Sequence, residues 1–91
     1  MMDEAKLSRI LKSMEEHDVP QLIMSDPLAI YYLLGKKFAP GERMLVLYLN
    51  VNGNHKLVIN ELFPQDEDLG VELVWYSDIQ DGVEILSQFV E

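Results

Sequence analysis

Carboxylates, two histidines and a serine beside an aspartate are the residues here that could do chemistry, and their spacing decides what each can be. Asp66, Glu67 and Asp68 are the densest carboxylates. A metal site needs several carboxylates, and usually a histidine, converging from rigid elements. These three are consecutive and lack the spacing and glycine of a calcium loop. A solvated acidic loop is the better reading, and no metal ligand is assigned. His17 and His55 are separated by a strand and half a hairpin. Each sits next to a turn, which reads as a surface histidine. Ser25 adjoins Asp26, but no Gly-x-Ser-x-Gly elbow surrounds it. Helix capping accounts for it. There is no phosphate loop and no dinucleotide fingerprint, so no catalytic residue is assigned.

Lys36, Lys37 and Arg43 form the one basic concentration, with Glu42 beside them. The chain carries a formal net charge of −9, unevenly placed. Residues 61–91 hold nine acidic side chains and no Lys or Arg. Phosphate neutralisation needs clustered Lys and Arg, so nucleic acid is not an expected partner. Among the aromatics, Tyr31, Tyr32 and Trp75 stand out. Adjacent tyrosines on a helix point about 100° apart, so one can be buried while the other faces out. Core packing is the simple reading. The functional alternative is a subunit contact at Tyr31 and Tyr32, since aromatic residues are enriched there.

The elements that position these residues are legible in the chain. Ninety-one residues allow one small domain, and 48% hydrophobic content allows a core. Leu7, Ile10, Leu11 and Met14 recur at helical spacing, which predicts a helix from Glu4 to Asp18 capped by Asp3. Leu22-Ile23-Met24 is continuous and apolar, which predicts a strand covered on both faces and central in its sheet. Asp26 or Ser25 can cap a following helix, Pro27 suits its first turn, and Gly35 can end it. Ile30, Leu33 and Leu34 would be its buried face. Lys36 to Glu42 is a loop by its Pro-Gly pair.

Arg43 to Val51 is the longest predicted strand, with Met44, Val46 and Tyr48 on one face and Leu45, Leu47 and Leu49 on the other. Asn52-Gly53 predicts a two-residue hairpin turn, and Lys56 to Asn60 returns antiparallel. Val71 to Tyr76 predicts a fourth strand. Asp81 would cap a last helix from Gly82 to Val90, with Val83, Ile85, Leu86, Phe89 and Val90 on its buried side. Alternating helices and strands point to an α/β layered domain with a mixed sheet of about four strands. There is no cysteine, which suits a reducing compartment. No apolar run approaches the roughly 18 residues of a membrane span, and the N-terminus has no secretory h-region. Cytoplasmic location is the default expectation, with no membrane partner.

The segment D-V-P-Q-L-I-M-S-D-P-L-A-I-Y-Y-L-L-G, followed by P-G-E-R-M-L-V-L-Y-L-N and an apolar hairpin strand, resembles the N-terminal domain of the creatinase/prolidase family. Ile30 to Gly35 matches that family's I-x-Y-L-x-G pattern, and V-W-Y-S-D before the last helix fits the same plan. The resemblance spans essentially all 91 residues. It implies a three-layer α/β/α domain with a ribonuclease H-like motif over residues 1–91. It also implies that the domain is incomplete and that a C-terminal pita-bread catalytic domain is its partner.

In that family the dinuclear metal, manganese or a similar divalent ion, is held by two Asp, one His and two Glu of the catalytic domain, so none is assigned here. The implied role is a non-catalytic domain of a Xaa-Pro dipeptidase or aminopeptidase, supporting dimerisation and substrate access. Lys36, Lys37, Glu42 and Arg43 would form a loop near the catalytic entrance. The alternative is a stand-alone binding or oligomerisation module of the same fold. An uncovered sheet edge would also favour self-association.

Overall fold

The computed structural model describes residues 2–35, 45–61, 69–77, 82–88 and 90. Helix α1 (Glu4–Glu16) starts where expected. The Asp3 side chain accepts from the Lys6 backbone N–H, satisfying one of the orphan donors of the first turn. Its end is built without glycine. Asp18 takes φ 56, the Asp18 N–H bonds the Glu15 carbonyl at 3.3 Å, and the Val19 N–H bonds the Met14 carbonyl at 2.8 Å. That is the Schellman pairing, with aspartate in the left-handed position where glycine is usual. The helix therefore stops at Glu16, and Asp18 belongs to its exit turn.

Strand β1 (Gln21–Met24) and helix α2 (Pro27–Leu34) follow. The Asp26 carboxylate accepts from the Leu28 N–H at 3.0 Å, Pro27 occupies the first turn, and Gly35 closes the helix at φ 71. Ile30, Leu33 and Leu34 are fully buried, as their spacing requires. Strands β2 (Val46–Asn50), β3 (Lys56–Asn60) and β4 (Glu72–Tyr76) complete the sheet, and α3 (Gly82–Ser87) ends the described order.

The sheet order is β1-β2-β3-β4. β1 and β2 are antiparallel, with Leu22 opposite Leu49; β2 and β3 are antiparallel, with Leu47 opposite Leu57. β4 runs parallel to β3, with Val74 opposite Val58. The mixed sheet is as expected, but β1 is an edge strand and not a central one. α2 returns the chain directly alongside β1, and short connections favour neighbouring strands. The continuous apolar run hides a one-sided strand: Leu22 and Met24 pack on the core while Ile23 is 46% exposed.

The helices cover both faces. α1 and α2 bury Leu7, Met14, Ile30, Leu33 and Leu34 against Leu45, Leu47, Leu49, Leu57 and Ile59. On the opposite face Val46, Val58 and Tyr76 meet Ile85 and Leu86 of α3. Of the residues read onto the two faces of this strand, Leu45, Leu47 and Leu49 fall in the first cluster and Val46 in the second, while Met44 lies outside the described residues. Three other expectations change. Val83 is exposed, because a six-residue helix turns only a narrow stripe inward. α3 stops at Ser87 rather than Val90. The β2–β3 connection runs through Val51 to His55, longer than two residues, and in it only Gly53 takes positive φ. Asp81 and Phe89 lie outside the described residues.

Candidate interaction surface

α2 is apolar on two sides. One side is the buried trio. On the other, Leu28, Tyr31 and Tyr32 lie at i, i+3 and i+4 and are 72%, 40% and 51% exposed. Both tyrosines therefore face out, where the sequence suggested that one would be buried. Eight residues leave no room for a charged face: PLAIYYLL contains none. A helix apolar all round is the pattern of one covered on every side.

The tyrosine end of this ridge is organised by the start of α1. The Lys6 ammonium lies 4.2 Å from the centroid of the Tyr32 ring and donates to the Tyr32 carbonyl at 3.2 Å. A cation at a helix C-terminus meets the negative end of the dipole, and over an aromatic face it meets the negative quadrupole. Lys6 also lies 3.8 Å from the Asp3 carboxylate. The Asp3 carboxyl is held below its ordinary value by the Lys6 backbone N–H, with burial opposing and the Lys6 charge assisting. The Asp3 N–H donates to the Leu33 carbonyl at 2.7 Å. Asp3, Lys6, Leu28, Tyr31, Tyr32 and Gly35 line an open cavity of about 450 Å³ here. The arrangement can hold a partner's apolar side chains beside a fixed positive charge.

Trp75, also read as core, is exposed on β4, the edge strand at the far side of the sheet from β1. His17 is exposed, and its Nδ1 donates to the Ser13 carbonyl at 2.8 Å. His55 departs from the surface reading. It is half-buried and accepts the Asn50 backbone N–H on Nδ1 at 3.2 Å. Lys36, Lys37, Glu42 and Arg43 lie outside the described residues, as do Asp66, Glu67 and Asp68. Among the described residues, no three His, Asp or Glu side chains are grouped to hold a metal ion. Nor is any described helix long and apolar enough to cross a membrane.

Residues 6–91 match the Creatinase/Prolidase N-terminal domain family. The chain belongs to that family. Solved structures agree in fold. The creatinase/prolidase N-terminal domain of an X-Pro dipeptidase from Streptococcus pyogenes superposes with a TM-score of 0.83 at 25% identity, covering 97% of this chain and 69% of that one. A proline dipeptidase from Streptococcus agalactiae gives 0.80 at 20% identity, covering 98% and 69%. The N-terminal domain of a Xaa-Pro dipeptidase from Lactobacillus brevis gives 0.76 at 20%, covering 91% and 64%. No match is found among curated proteins.

The chain therefore spans about two thirds of the length of these neighbours. The likeness is one of a shared α/β frame carrying a mixed four-stranded sheet. In this creatinase/prolidase N-terminal domain the I-x-Y-L-x-G segment is the second half of α2. Its Ile30 and Leu33 are core, while its Tyr32 belongs to the exposed ridge.

Proposed function

We propose that this chain is the non-catalytic N-terminal domain of a cytoplasmic, metal-dependent Xaa-Pro peptidase, supporting dimerisation and substrate access. Family membership over residues 6–91 carries the reading. The neighbours in fold are dipeptidases or their N-terminal domains, which favours a dipeptidase over an aminopeptidase. The catalytic domain is the intramolecular partner, and it would hold the dinuclear manganese or similar metal. The outward ridge of α2 supports the contact role: Leu28, Tyr31 and Tyr32 would seat against a second subunit. Lys36, Lys37, Glu42 and Arg43 would form the substrate-access loop, in keeping with the tendency of loops to carry function. The rival reading is a stand-alone oligomerisation module, for which the same apolar ridge also argues.

The rest of the reading frame separates the two. A following segment with two Asp, one His and two Glu at metal-ligand spacing favours the peptidase; a stop codon after Glu91 favours the module. The longer protein, supplied with manganese, is expected to release proline from Xaa-Pro dipeptides, while the 91-residue chain alone releases none. In the longer protein Tyr31→Ser with Tyr32→Ser is expected to shift sedimentation from dimer to monomer, and Arg43→Ala to raise KM with little change in kcat. Hydrolysis by the isolated chain would overturn the non-catalytic assignment. An unchanged dimer in the tyrosine variant would remove α2 from the contact, and an unchanged KM would remove Arg43 from the access loop.

A further inference from the structure

We propose that His55 is a proton-operated latch: neutral, its Nδ1 holds the β2–β3 turn closed on Asn50, and protonated, it opens that turn and loosens the join between β2 and the edge strand β1. This goes beyond the peptidase reading and does not depend on it.

The turn is held by a chain of polar contacts. The Asn50 N–H donates to His55 Nδ1 at 3.2 Å, and the Asn52 N–H donates to Asn50 Oδ1 at 3.0 Å. The Asn54 N–H donates to Asn52 Oδ1 at 2.9 Å. Two backbone bonds complete it, from the Gly53 N–H to the Asn50 carbonyl and from the His55 N–H to the Gly53 carbonyl. Asn50 is the hub. Its Nδ2 donates to the Tyr48 hydroxyl at 2.9 Å, and that hydroxyl donates to Gln21 Oε1 of β1 at 2.8 Å. One residue on, the Val51 N–H donates to the Pro20 carbonyl at 3.1 Å. The same residue that receives the histidine thus ties β2 to β1.

An imidazole can accept on Nδ1 only while that nitrogen carries no proton. Protonation makes both ring nitrogens donors and sets N–H against N–H at Asn50. The proton comes from solvent, and no other bond changes. Burial of the ring disfavours the charged form and holds its pKa below the ordinary 6.5; the Glu4 carboxylate of α1 opposes this weakly. Of the other charged neighbours, Lys56, next on β3, is bound to Glu72 of β4 at 2.9 Å. Gln21 of β1, which accepts from the Tyr48 hydroxyl, is uncharged. A depressed histidine pKa means that the closed turn is fully stabilised above pH 6.5. This stabilisation is lost as pH falls through the folded-state value.

The test is NMR on the isotopically labelled 91-residue chain. At pH 7.5 the His55 ring is expected to carry its proton on Nε2, and on acidification it should titrate below 6.5. Hydrogen exchange at the Asn50 and Val51 amides, corrected for the intrinsic rate, should accelerate between pH 7.5 and 5. The rise is about tenfold for each unit by which the pKa is depressed. Leu57 and Ile59 in the sheet should stay protected. His55→Asn places an amide oxygen where Nδ1 stood and cannot titrate, so its exchange should be flat with pH. His55→Ala should be open at both pH values. A proton on Nδ1 at pH 7.5, titration at or above 6.5, or the same acid-induced opening in His55→Asn would overturn the proposal. The first two are read on the unsubstituted chain and need no variant to fold.

Discussion

Replacing Leu33 by alanine is expected to cost about 2–5 kcal/mol of folding free energy, and Leu28→Ala on the same helix almost nothing. Both are leucines of α2, five residues apart, so helix propensity changes equally in the two variants. Only burial differs. Leu33 is fully enclosed in the core with Ile30, Leu34 and the inner faces of β2 and β3, whereas Leu28 is 72% exposed. Truncating Leu33 removes its transfer free energy and leaves a cavity in a rigid frame, because its carbonyl also anchors the Asp3 N–H at 2.7 Å. A domain of this size holds on the order of 5–15 kcal/mol in total. The loss should therefore move the urea midpoint by roughly 1 M or more at an unchanged m value. Equal midpoints for the two variants would show that α2 does not pack as described. A further comparison uses Leu28 again: in the longer protein its truncation should weaken association without touching stability. That split would mark the ridge as a surface for a partner.

α2 was legible because its information is local. Asp26, Pro27 and Gly35 each act within one turn of themselves, and the i, i+3, i+4 spacing names the buried face without reference to any other element. The capping of α1 by Asp3 was legible for the same reason. Sheet order was not. Leu22-Ile23-Met24 reads as buried on both faces, yet which neighbours a strand has depends on how the chain returns, and here α2 brings β2 back beside β1 and leaves Ile23 outside. The parallel β3–β4 pair rests on the crossover between Glu61 and Val71, a length compatible with parallel pairing but not diagnostic of it.

At the candidate surface the gap was one of sign. Two adjacent tyrosines on an apolar helix look like core, since no polar residue marks the outer face. Only the placement of all three buried positions shows that both tyrosines must point away. The polar hub at Asn50 was invisible for a different reason. Asn52-Gly53 dominates the local turn signal, and nothing in the sequence tells that Asn50 and His55 close the loop one step outside it.

That hub sets the second large effect. Asn50→Ala is expected to cost about 1–3 kcal/mol, because the side chain is buried at 4% exposure and both ends of its amide are used. Its loss leaves the Asn52 N–H without its acceptor and deprives the Tyr48 hydroxyl of a donor at 1% exposure. Tyr48→Phe should cost about 0.5–1.5 kcal/mol, since it removes one hydroxyl shared between Gln21 and Asn50. The two changes act on the same contact, so the double variant should lose less than the sum of the singles, with a coupling of at least about 0.5 kcal/mol. Strict additivity would mean that the Asn50–Tyr48 bond contributes nothing to stability.

The cycle also bears on the latch. The His55 bond is to the Asn50 backbone N–H, which alanine keeps, so Asn50→Ala should leave the Asn50 amide pH-dependent while the Val51 amide, cut off from the side-chain link to β1, loses its pH dependence. Tyr48→Phe, which also leaves the His55–Asn50 bond intact, should do the same, because it removes the hydroxyl between Asn50 and Gln21. The hydroxyl then transmits closure to β1, and the asparagine backbone receives it from the histidine. A single buried polar residue thus sets both how firmly the edge strand is held and whether protons can release it.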